Sequence, residues 1–119
     1  MQLRRLILQN KILTALLAGA VTGSGLGTAA VHALPQYLIS QKGRAFQPGD
    51  LNINRGETVQ ILNDDGDLLH HAYIDGPGFS FDSGDQKPGS KTDIVFSTPG
   101  TFNVLCAIHP KMKLVVHVK

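Results

Sequence analysis

The stretch Cys106-Ala-Ile-His-Pro-Lys-Met112 decides how the rest of the chain is read. A thiol, an imidazole and a thioether recur there at intervals of three, and Cys106 is the only cysteine among 119 residues. Copper sites of the electron-transfer type use a cysteine sulfur, two histidine nitrogens and a weak, distant methionine sulfur. Cys106, His109 and Met112 supply three of those four donors, so a second histidine and a scaffold must come from elsewhere in the chain. A helix does not serve here, because residues three and six apart drift around its axis and Pro110 breaks an interior turn. A tight loop between two strands, wrapped around the metal, does. Zinc is the rival ion, but its structural sites want four Cys or His ligands and methionine is not a normal partner. Soft sulfur with imidazole favours copper.

Working outward, the chain after Ala33 is punctuated by turn residues: Pro48-Gly-Asp50, Arg55-Gly56, Asp64-Asp-Gly-Asp67, Asp75-Gly-Pro-Gly78, Lys87-Pro-Gly89 and Thr98-Pro-Gly100. The runs between them predict strands at 36–41, 50–54, 58–63, 69–75, 91–96, 101–106 and 112–118. Many short strands at this spacing indicate an all-β sandwich or barrel. The segment Phe79-Ser-Phe81-Asp-Ser-Gly84 reads equally as an extra short strand or as a loop flanking the site.

Successive strand side chains point to opposite faces, which assigns the donors to sides. Met112, Leu114, Val116 and Val118 form one inward row, with Lys113 and His117 outside. Phe102 and Val104 are in phase with Cys106. Ala72 and Ile74 are in phase with His70, whereas His71 shares a face with Tyr73. Leu51 with Ile53 and Val59 with Ile61 make two further inward pairs. His70 is therefore the foremost candidate for the missing nitrogen, ahead of His71 and then His117. Cys106, Met112 and His70 each continue an inward row to a strand end, at the rim of the core. The alternatives are plain: inert packing for Cys106, core filling for Met112 and a structural role for His70.

The first 33 residues follow the order of a secretory signal: Arg4, Arg5 and Lys11, an apolar run from Ile12 to Ala20, then small residues ending at Val31-His-Ala33. Cleavage is expected after Ala33, with Ala30 the near alternative. The apolar run is shorter than the roughly 20 residues a membrane-spanning helix needs; retention as an anchor is the competing reading. This leader holds three of the 11 basic residues and none of the nine acidic ones, so residues 34–119 are net −1. That balance excludes nucleic-acid binding. A lone cysteine makes no intrachain disulfide, unusual for an exported domain, and a bound metal would explain its survival.

The stretch from Asn63-Asp-Asp through His70 to Cys106-Ala-Ile-His-Pro-Lys-Met-Lys-Leu-Val-Val116 resembles the cupredoxins, the small blue copper proteins, over nearly all of 36–119. The ligand loop is similar in spacing to that of amicyanin, and the body to the plastocyanin and amicyanin group, including small copper proteins of the methylamine-utilisation type. Phe46, Pro48, Gly56 and Val59 fit the same pattern. The resemblance implies a Greek-key β-sandwich with one type 1 copper ion near one end, held equatorially by His70, Cys106 and His109 and axially by Met112. It also implies that residue 71 departs from the pattern: asparagine commonly follows the first histidine and braces the ligand loop, and here His71 stands there.

The expected function is a periplasmic carrier of single electrons rather than an enzyme, since four histidines outside the leader barely fill one metal centre. A copper-delivery module without redox shuttling is the alternative. The expected partner is a cytochrome or redox enzyme docking transiently near His109, on a patch made by Ala107, Ile108 and Pro110 with Leu68 and Leu69. Asp64, Asp65 and Asp67 read first as a solvated charged turn, with steering of a basic partner as the alternative. The protein is expected to be monomeric, with no membrane segment once the leader is removed.

Overall fold

The structure is a computed structural model that describes residues 34–119; the expected leader, residues 1–33, lies outside them. Among the described residues there are nine strands: β1 (Tyr37–Lys42), β2 (Ala45–Gln47), β3 (Asp50–Ile53), β4 (Thr58–Asn63), β5 (Ala72–Gly76), β6 (Phe79–Asp82), β7 (Lys91–Val95), β8 (Gly100–Cys106) and β9 (Lys113–Val118). They form two sheets, β2-β1-β4-β7 and β3-β9-β8-β5-β6. Strands β1 and β4 pair parallel, as do β3 and β9, and every other ladder is antiparallel. The all-β sandwich expected from the turn spacing is thus present.

Alternation explains why the sheets face one another. Ile39 on β1, Val59 and Ile61 on β4 and Ile94 on β7 meet Ile74, Phe102, Val104, Leu114 and Val116 of the other sheet in one buried cluster. Each such side chain removed from water contributes about 1.5–3 kcal/mol. The predicted inward rows of β8 and β9 are all buried, Met112 and Cys106 included. Leu51 is only half-buried where an inward position was expected, because it sits on β3, which pairs with β9 alone at the edge of its sheet.

The sequence reading missed two elements or left them open. Strand β2 was not foreseen; it returns from β1 over the two-residue loop Gly43-Arg44, both at φ 61°, with Lys42 facing Ala45 across the turn. Positive φ at both central residues is the type I′ geometry that matches strand twist. Phe79–Asp82 is a strand, and it closes the sheet edge beside β5 with Tyr73 opposite Asp82 and Gly76 opposite Phe79. The predicted strand at 69–75 begins later, at Ala72. His70 instead makes an isolated antiparallel bridge to Gln86.

Candidate metal centre

Strand β8 carries Cys106 to its last position and β9 begins just after Met112, so residues 107–112 form the loop that joins neighbouring antiparallel strands. The loop is closed by the Met112 N–H donating to the His109 carbonyl at 3.0 Å. His109 is half-buried there, while Cys106 and Met112 are 2 % and 1 % exposed. His70 arrives from the other side, where Ala72 pairs with Cys106 across the β5–β8 ladder. Its side chain is fully buried.

His70, Cys106 and His109 bring one donor atom each to within 4.8 Å of one another, two of the residues buried and one partly so. The Cys106 sulfur lies 3.9 Å from Nδ1 of His70 and 3.7 Å from Nδ1 of His109. The two imidazole rings flank it, centroids 5.0 Å apart and planes tilted 60°. Ions bonded at about 2.0–2.1 Å to imidazole and about 2.3 Å to thiolate hold two such donors no more than about 4.4 Å apart, so both sulfur–nitrogen distances suit one shared ion. Burial holds His109 below the usual imidazole pKa, and the neighbouring His70 and Arg44 push the same way against an opposing pull from Asp65. A neutral imidazole is the form that ligates.

Met112 has its side chain buried and lines a hollow with Arg44, Ile108, His109, Pro110 and Lys111. The remaining histidines are elsewhere. His71 turns outward, Nε2 2.6 Å from Asp82 and Nδ1 3.3 Å from Asp85. Only its backbone serves the ligand loop, the Ala107 N–H donating to its carbonyl at 2.9 Å. His117 pairs on the surface with Asp50 at 3.1 Å. Both placements agree with the strand phase.

Residues that the sequence reading passed over support the site from beneath. Gln86 is 2 % exposed and bridges His70 through both main-chain groups, at 3.1 and 2.7 Å. Its side chain accepts from Gln41 Nε2 and the Ala72 N–H and donates to Thr92. Asn63, also buried, donates to the carbonyls of Leu68 and Gln86 and accepts the Asp65 N–H, which folds the loop 64–69 back over the site. Asp65 then places Oδ2 2.7 Å from His70 Nε2 and accepts the Gly43 N–H on Oδ1 at 3.0 Å. Its carboxyl is held below the ordinary aspartate range, first by the His70 hydrogen bond and then by that from Gly43. Asn63 and Asp65 stand in the quoted Asn-Asp-Asp run; no local pattern announces Gln86.

No family model matches the chain, and no curated protein does. Solved structures do. A copper-containing nitrite reductase from Thermus scotoductus is 31% identical over 80% of this chain, with a TM-score of 0.66, but the match spans only 24% of the reductase. A mutant of amicyanin in its Cu(I) form gives 18% identity over 76% of this chain and 88% of its own, with a TM-score of 0.65. A purple cupredoxin from Nitrosopumilus maritimus gives 24% over 70% and 99%, with a TM-score of 0.61. The chain spans about a quarter of the first of these proteins and most of the other two.

Proposed function

From a chain with the cupredoxin fold, we propose a single-electron carrier that works through one type 1 copper ion, which His70, Cys106 and His109 would hold with the Met112 sulfur as a weaker fourth donor. The observation that carries this reading is the convergence of one thiol and two Nδ1 atoms at the buried end of β8. The donor chemistry fits copper better than zinc, because the fourth nearby group is a buried thioether. Copper bound there supplies a one-electron couple. The protein's own part is to keep the donors still: His70 is pinned through its main chain, Cys106 is fixed in a ladder and His109 is closed into a six-residue loop. Such preorganisation limits rearrangement when charge changes.

His109 is the donor nearest solvent, which makes its ring edge the route for electrons to a partner. Beside it Ile108 is 42% exposed, with Pro110 also on the surface, and Leu69, next to His70 in the chain, is 37% exposed. That small apolar face, with Arg44 and Lys111 at its rim, supports transient docking of a cytochrome or redox enzyme. Asp64 and Asp67 remain available for steering; Asp65 has its carboxylate engaged at His70. Export to the periplasm, cleavage of residues 1–33, a monomeric state and the absence of enzymatic activity belong to the same proposal. No helix among the described residues is long and apolar enough to cross a membrane.

Absorption spectroscopy of the copper-loaded protein tests the reading. An intense thiolate-to-copper band in the visible is expected, lost in Cys106→Ala and His70→Ala and retained in His71→Ala. A weak spectrum with easily released Cu(I) would favour copper delivery instead. Colour that survives loss of His70 but not of His71 would overturn the ligand assignment.

A further inference from the structure

The loop that carries Asp65 does more than cover the sandwich end. A buried imidazole has two nitrogens, and which one bears the proton is set by the partner of the other. His70 presents Nδ1 to the Cys106 sulfur at 3.9 Å and Nε2 to a carboxylate oxygen at 2.7 Å. An ionised carboxylate only accepts, so a neutral His70 must carry its proton on Nε2 and keep the Nδ1 lone pair bare toward the sulfur. The carboxylate itself is not free to wander. Its second oxygen holds the Gly43 N–H, its own N–H is tied to Asn63, and its side chain is 11% exposed.

We infer that Asp65 is a positioning residue for His70, which fixes the imidazole tautomer and orientation at the metal centre and makes Nδ1 a stronger donor. The inference rests on the copper reading only for its electrochemical consequence; the tautomer belongs to the metal-free protein as well. Carboxylate–histidine–metal relays raise ligand basicity, and their loss typically weakens metal binding about 10- to 100-fold. A more basic donor stabilises Cu(II) over Cu(I). Asp65 therefore lowers the reduction potential. No bond is made or broken by Asp65; it stays an acceptor in both oxidation states.

Two measurements test this. Nitrogen-15 NMR of the metal-free protein, at alkaline pH where imidazoles are neutral, should find His70 protonated on Nε2 in the wild type and in Asp65→Asn, whose amide oxygen still accepts. It should find mixed tautomers in Asp65→Ala. A wild-type His70 protonated on Nδ1 would overturn the inference without any variant. In the copper-loaded protein, Asp65→Asn should lose about tenfold more Cu(II) than Cu(I) affinity, a rise of about 59 mV in a one-electron couple. An unchanged or lower potential, with copper still bound, would reduce Asp65 to a brace for the Gly43-Arg44 turn. If the wild type binds no copper, the functional reading fails, and the tautomer experiment still decides the role of Asp65.

Discussion

The two ends of β8 are built from opposite materials. At its start Phe102 meets Phe79 and Phe96, ring centroids 5.4 and 6.3 Å away, with Phe79 and Phe96 themselves 5.4 Å apart. A Cβ on Gly100 would stand 3.3 Å from the Phe102 ring, and one on Gly76 would stand 3.1 Å from it, so both glycines leave room for that ring. Gly100 also holds φ at 141°, a conformation that disfavours other residues. Four residues beyond Phe102, about 13 Å along the strand, Cys106 meets two imidazoles, and buried amides hold the main chain of His70. The aromatic end owes its order to shape and apolar area. The donor end buries groups that are costly unless each is partnered, and it is ordered by hydrogen bonds through Gln86, Asn63 and Asp65. One strand thus links an end that holds the sheets together to an end that holds donors in place.

Breaking each end separately should give opposite phenotypes. Cys106→Ala should abolish the visible band while the far-ultraviolet circular dichroism of the metal-free protein persists; loss of the sheet signal would mean that the ends are not separable. Phe102→Ala should cost about 3–5 kcal/mol of unfolding free energy, read by chemical denaturation, yet leave the absorption maximum of the remaining folded protein where it was. Gln86→Ala sharpens the comparison from the middle. Its loss leaves Gln41 Nε2 without its acceptor and takes one of two acceptors from the Ala72 N–H, which keeps Ser83 Oγ, and about 1–3 kcal/mol should go. Copper should still bind, because the bridge to His70 is made by the Gln86 main chain.

The smallest effect should come from the carboxylate of Glu57, a residue whose main chain borders the aromatic end, where the Phe96 N–H donates to its carbonyl. Glu57 accepts the Asn54 N–H in the turn before β4, and that hydrogen bond lowers its pKa below the ordinary 4.5. A carboxyl lowered on folding contributes stability that is present above its unfolded pKa and lost as pH falls through the folded one. Metal-free protein should therefore weaken as pH drops below about 4.5, and Glu57→Gln should flatten part of that decline without moving the copper spectrum. Equal acid curves for wild type and variant would contradict the assignment.

Much of this organisation was legible in the chain. Strict alternation placed Phe102, Val104 and Cys106 on one face of β8 and Met112 on the buried row of β9, and it separated His70 from His71. Period-two patterning works wherever one face is buried. Cys-x-x-His-x-x-Met named the loop because few chemistries need that trio. The supports were not legible. Gln86 is bonded to residues 6 to 45 positions away and lies in no strand, so no periodic pattern marks it out. Strand β2 spans only three residues, too few for a periodic signal. Asp65 read as a solvated turn charge because its partner is decided by how the loop folds back, a tertiary fact. His70 read as a strand residue for a similar reason: its phase is that of β5, but its main chain pairs with Gln86 instead of β8.

X-ray absorption at the copper edge of the Cu(II)-loaded protein tests the central claim most directly. One short copper–thiolate bond and two imidazole nitrogens are expected, with the sulfur component gone in Cys106→Ala and one imidazole gone in His70→Ala. A first shell of nitrogen and oxygen alone, unchanged by either substitution, would contradict it.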